Sequence, residues 1–345
     1  MAQKERQSNI ELLRCLSMFF VIVYHILIFA LQPIHPETNT YQALELPFHI
    51  GVPLFVMISG YFGIRFSIRG LSRLASKAYV YLIPCSVIAM TMAGTFTIKG
   101  IFKSLMIFSF DNLWFLNVYL YLFLLSPFVN KALDNITDKQ RWYLLGALSF
   151  ITVWIGGLTE ADGYLLEGKN VLHFILLYAI GNTIHHYQKK INRISQAKIV
   201  GAYLVLNVAL TLGFMYLPAS LAGKIWKYSF GYNSPVMILN CVLFFMIFTK
   251  LHFYSKLVNW AGGSIFACYL LQSPELTWKN IMEIPSQMID AYLGTLWLTV
   301  PAVIVYTILA MFVFCCFDKL LNPLWNVITR KAVRLDEKLG TKELL

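Results

Sequence analysis

Ten apolar runs, each close to the length of one bilayer crossing, occupy most of this chain. They lie near residues 10–31, 48–64, 78–98, 113–129, 142–158, 171–187, 199–218, 232–251, 257–274 and 292–317. A helix needs about 20 predominantly apolar residues to cross the hydrocarbon core. The pattern therefore predicts an all-α, polytopic integral membrane protein of about ten transmembrane helices. Ten crossings with short connections use up the 345 residues and leave no room for a large soluble domain. No internal repeat or linker divides the chain. It reads as one membrane domain, 1–345, with a transmembrane core at about 10–317 and a cytoplasmic tail at 318–345. The ninth run is the most diluted, by Ala261-Gly262-Gly263-Ser264 and by Gln272.

Composition enters where the alternatives must be excluded. Soluble domains carry about 25% charged residues; this chain carries 13%, with 58% hydrophobic, which excludes a water-soluble enzyme. The net charge of +11 would suit a nucleic-acid partner only on a soluble basic face, and none is available. The positive-inside rule gives the charge another origin. With the N-terminus in the cytoplasm, 22 of the 28 Lys and Arg residues fall on the cytoplasmic side and only six outside. Both termini are thus expected inside, in the cell membrane. The first apolar run follows Lys4 and Arg6, is too long for a signal peptide and lacks a small-residue cleavage site, so it is expected to stay as the first transmembrane helix. Cys15, Cys85, Cys241, Cys268, Cys315 and Cys316 lie in apolar stretches without metal-type spacing and read as buried, reduced packing residues. The outer loops 32–47, 159–170 and 275–290 hold acids, amides and aromatics, which suits a polar substrate as well as ordinary solvation.

Ionisable groups at membrane depth are costly and are functional candidates by default. Arg14 and His25 in the first run are eleven residues apart, about three helical turns and about 16 Å along the axis, so they share one face. Arg14 is expected at the cytoplasmic mouth, as a snorkelling anchor or a ligand contact, with Glu11 one turn before it as a pairing partner. His25 lies beyond mid-membrane. It is either a packed structural residue or a proton-exchanging group. Arg65, Arg69, Arg73 and Lys77 follow at intervals of four and form a basic stripe at the cytoplasmic face. That stripe suits positive-inside topology and anionic lipid, or guanidinium contacts to a phosphorylated ligand.

These residues resemble a known family. Arg14, ten intervening residues and His25 are similar to the first-helix arginine-to-histidine motif of the membrane acyltransferase-3 family, whose members acylate carbohydrates at bacterial surfaces. Gly51-Val-Pro-Leu-Phe-Val-Met-Ile-Ser59-Gly60-Tyr61-Phe resembles its second-helix segment. Leu113-Trp114-Phe115-Leu116 through Ser126-Pro127 looks like its tryptophan-containing helix, and Ser264-Ile-Phe-Ala-Cys-Tyr269 like its C-terminal stretch. The similarity runs from about residue 9 to 320. It departs from the family at Arg69 and Arg73, which are separated by three residues rather than two, and at Gln272, where a histidine is common.

The resemblance implies an integral membrane O-acyltransferase that moves an acyl group, usually acetyl, from cytosolic acetyl-CoA to a hydroxyl of a polysaccharide or lipid-linked glycan, without a metal. It implies His25 as the catalytic base or acyl carrier and Arg14, Arg69 and Arg73 as contacts to CoA phosphates. Glu45 or Glu275 is a candidate for orienting the imidazole. The residues alone leave open a transporter or flippase of lipid-linked sugars, with His25 as its proton-coupling group.

Overall fold

The computed structural model describes residues 6–31, 45–109, 113–159, 163–218, 221, 230–273, 283–285, 287 and 296–339. Among them there is no strand. Each of the ten runs contains helix, and among the described residues six helices are long and apolar enough to cross a membrane: 8–29, 68–92, 114–135, 138–158, 196–216 and 300–320. The segments 46–62 and 235–249 are apolar but shorter. The diluted ninth run is two short helices, Lys256–Gly262 and Ile265–Gln272, broken at Gly263-Ser264.

The described chain packs as two compact units, residues up to 64 with 128–262, and 65–127 with residues from 263 onward. The first unit holds α1 (Ser8–Ile26), which continues as a π-helical turn, Leu27–Leu31. It also holds α2 (Gly51–Phe62), entered through a 3-10 turn at Leu46–Phe48. The second unit holds α3 (Ile68–Met92) and the short α4 (Ile98–Leu105). The next helix, α5 (Trp114–Asn135), is followed in the first unit by α6 (Asp138–Ser149 with the π-helical Phe150–Leu158) and α7 (Val171–His186). That unit is completed by α8 (Gln196–Tyr216), α9 (Pro235–Thr249) and α10 (Lys256–Gly262). The second is completed by α11 (Ile265–Gln272), α12 (Leu296–Leu320) and α13 (Asn322–Leu339).

In lipid there is little hydrophobic drive between helices, so close backbone approach through small residues carries much of the packing. The α2–α7 pair shows it. A Cβ on Gly60 would strike the Tyr178 carbonyl, and one on Gly181 would strike that of Met57. Polar side chains then fix the register. Tyr178 donates its hydroxyl to Asn130 Oδ1 at 2.5 Å and accepts the Ile64 N–H at 2.7 Å, while Asn130 donates to the Ile64 carbonyl at 2.8 Å. Asn207 and Asn240 exchange amide hydrogen bonds between α8 and α9 at 3.0 and 3.1 Å.

Several basic residues counted as cytoplasmic charge also tie helix ends together. Arg141 is buried and donates to the Leu133 carbonyl at 2.8 Å and to Asn182 Oδ1 at 2.6 Å. Lys250 donates to the carbonyls of Ile191, Asn192 and Ile194. In the second unit α3 starts ten residues before the predicted run, because Ser67 caps it by accepting the Gly70 N–H at 3.0 Å. The basic stripe divides as a result. Arg65, Arg69 and Arg73 are exposed, whereas Lys77 is buried in an ion pair with Asp318 at 2.7 Å. Asp318, assigned from sequence to the tail, belongs to α12, which runs on to Leu320. Tyr81 donates to the same carboxylate oxygen at 2.6 Å, and Lys77 sits 5.2 Å from the Trp325 ring of α13. None of the six cysteines is in a disulfide, but only Cys241, Cys268 and Cys315 are fully buried.

Candidate active site

Helix α1 carries the candidate residues Arg14 and His25, and its N-terminal end is firmly held. Ser8 donates to Asn259 Oδ1 and accepts the Ser255 N–H, both at 3.0 Å, and Asn9 donates to the Phe248 carbonyl at 3.0 Å. Just above these contacts the expected Glu11–Arg14 pair is formed, with Arg14 Nη1 2.8 Å from the carboxylate. Glu11 is buried although it is charged, which requires a partner. Gly262 of α10 supplies the space, since a Cβ there would overlap Glu11 Oε2. Arg14 remains about 29% exposed, and its Nε and Nη2 have no hydrogen bond among the described residues. The guanidinium is oriented from one side and open on the other.

His25 occupies the far end of the same helix, half-buried, with Tyr24 at 6.2 Å and Phe29 at 6.1 Å between ring centroids. The helix widens into a π turn directly after it, a distortion frequent at functional positions. Around Tyr24 the first unit gathers polar groups that the apolar pattern did not single out. The His49 ring meets Tyr24 edge-on at 4.5 Å and stacks on Tyr232 at 4.6 Å and 13°. Phe230 lies 5.8 Å away. His25 and Lys169 lie within electrostatic reach of the same imidazole. Glu45, expected in a solvated outer loop, is 1% exposed, and its Oε1 has no hydrogen bond among the described residues. Burial pushes its carboxyl up to about 8, so it is mostly neutral at pH 7. It acts electrostatically on Tyr24, as does Glu167; Glu275 lies outside the described residues.

The loop carrying Glu167 is itself pinned. Asn233 donates to the carbonyls of Thr152 at 2.8 Å and Leu165 at 3.1 Å, and the Tyr232 N–H bonds the Glu167 carbonyl at 3.1 Å. Glu167 adopts φ 57°, a left-handed conformation unusual for a non-glycine residue. Lys169 pairs with it at 2.5 Å.

Arg14 and His25 are thus held on one helix of the first unit. Arg69 and Arg73 belong to the second unit, exposed in the opening turns of α3, with no ion pair among the described residues. Gln272 is buried at the end of α11. His49 escaped the sequence reading because it opens an apolar run with no charged residue at helical spacing. The visible signal was its place two residues before Gly51 in the Gly-Val-Pro segment.

The profile of the acyltransferase-3 domain family matches residues 7–318. That is most of the chain, and the chain belongs to this family. It is a multi-pass membrane acyltransferase, which favours acyl transfer over the transporter or flippase reading. No match was found among curated proteins or solved structures.

Proposed function

We propose that this protein transfers an acyl group, acetyl in the family's usual form, from cytosolic acetyl-CoA to a hydroxyl of a cell-envelope carbohydrate. The observation that carries the reading is α1 itself, in a chain of this family: an oriented, half-open Arg14 and an imidazole about 16 Å further along the same face. That span suits a donor whose phosphates stay at a basic mouth while its thin pantetheine arm reaches inward. Arg14 offers two unoccupied sets of N–H donors to phosphate. Arg69 and Arg73 add charge at the start of α3, where the helix end also favours anions.

His25 then acts at the thioester. As the acceptor oxygen attacks the acyl carbon, the neutral imidazole takes the hydroxyl proton. The C–S bond breaks, and the proton passes to the departing thiolate. Ten spans with both termini in the cytoplasm would present the donor from inside and the glycan from outside.

The test is mass spectrometry of envelope glycans from cells that lack the gene, complemented with wild type or with His25→Ala. Wild type restores a lost acyl mass, and His25→Ala reduces it at least 100-fold at equal membrane abundance. Full acylation by His25→Ala overturns the role of this residue. An acyl mass unaffected by loss of the gene overturns the function.

A further inference from the structure

Two buried side chains near Tyr24, His49 and Glu45, have polar atoms without a hydrogen bond among the described residues. His49 is 7% exposed, and neither ring nitrogen meets a partner among the described residues; the Phe230 carbonyl faces the ring short of hydrogen-bond geometry. Glu45 Oε1, close enough to act on the same tyrosine, is also unpartnered. Buried polar groups are nearly always bonded, and an exception calls for a ligand, water or strain. Another core histidine in the same unit differs by one bonded nitrogen. His173 is fully buried with its Nδ1 3.5 Å from Thr152 Oγ1, so that only Nε2 lacks a hydrogen bond among the described residues, whereas at His49 both ring nitrogens do.

His49 is also prevented from turning away. Tyr232 covers one face of the ring and the edge of Tyr24 abuts it. A neutral imidazole presents one N–H donor and one acceptor, and a protonated carboxyl likewise presents both. Alcohol hydroxyls have the same dual character, whereas a phosphate or a carboxylate would only accept. Tyrosine rings beside such groups supply the apolar surface on which sugar C–H faces pack. His25 is near enough to this cluster to act on it.

We infer that His49 is an acceptor-binding residue: it hydrogen-bonds a hydroxyl of the carbohydrate and holds it beside His25. The assignment rests on the acyl-transfer reading above. A site built to bond a substrate hydroxyl loses much of its discrimination when its own polar group is removed. His49 therefore governs recognition of the glycan and leaves the donor untouched.

The experiment uses the full chain in nanodiscs, radiolabelled acetyl-CoA as donor and de-O-acylated envelope glycan from the source cells as acceptor. His49→Phe, which keeps a flat ring between the two tyrosines, raises the glycan KM at least ten-fold and leaves the acetyl-CoA Kd within two-fold. His49→Gln, which restores a donor and an acceptor, recovers at least a third of the lost kcat/KM. A wild-type glycan KM in His49→Phe overturns the assignment, as does a parallel loss of donor binding. If His49→Phe fails to reach the membrane, His49→Gln alone decides: a raised glycan KM with unchanged donor Kd supports the assignment, and a wild-type KM overturns it. Wild-type protein that acylates no glycan overturns the function itself, a result read before any variant is made.

Discussion

Two buried polar clusters in this molecule differ in how completely they are bonded. In the second unit Asp318 takes an ammonium at 2.7 Å and a phenol at 2.6 Å, and Trp325, whose Nε1 has no hydrogen bond among the described residues, flanks Lys77. In the first unit Glu45 and His49 are equally withdrawn from solvent and have atoms without a hydrogen bond among the described residues. A buried ion pair whose charges are met holds helices together. An unsaturated cluster is destabilising as it stands and is retained only if something else completes it. Burial alone therefore does not mark a functional residue in this protein.

Variants of the ion-paired cluster test the contrast most strongly. Asp318→Leu strands the Lys77 charge and should cost about 3–5 kcal/mol of stability, while adding Lys77→Met recovers most of the loss; thermal unfolding in detergent measures both. A single variant as stable as wild type would remove the ion pair from the fold's support.

Glu45 gives the next largest effect, as a pH dependence. Its folded-state pKa of about 8 lies above the ordinary carboxylate value, so the folded state holds a proton that the unfolded chain releases near 4.5. The associated stability is complete below about 4.5 and is lost as pH rises to 8, with a slope of up to about 1.4 kcal/mol per pH unit. Glu45→Gln should flatten that decline in unfolding scans at pH 5 to 8.

His49→Phe is expected to leave unfolding unchanged or to raise stability by about 1 kcal/mol, because it removes an unbonded buried group. Marked destabilisation would place His49 with the structural cluster. Smallest are Arg69→Ala and Arg73→Ala, exposed and without ion pairs among the described residues, which should change stability by less than about 0.5 kcal/mol. Their acetyl-CoA Kd should nonetheless rise; unchanged Kd reduces them to topology signals.

Local patterns in the sequence were legible, and distant pairings were not. The Glu11–Arg14 pair and the alignment of Arg14 with His25 follow from helical spacing within one segment. The break at Gly263-Ser264 was announced by glycine and serine inside an apolar run. Lys77 was grouped with the arginines because periodicity records its spacing from Arg73 but not its partner 241 residues away. His49 and Glu45 acquire meaning from Tyr24 and Tyr232, which only the packed helices bring near. The eighth run reads as a crossing over 232–251, but its helix covers only 235–249, while the second keeps its length and is shifted to 46–62.

The distance between Lys77 and Asp318 along the chain also sets a timetable. A ribosome adds about 5–20 residues per second, so the lysine emerges roughly 12–50 s before the aspartate that neutralises it. During that interval α3 carries an uncompensated ammonium next to its apolar stretch. Final seating of α3 must therefore wait for α12, so the second unit closes only after the chain has been made as far as Asp318.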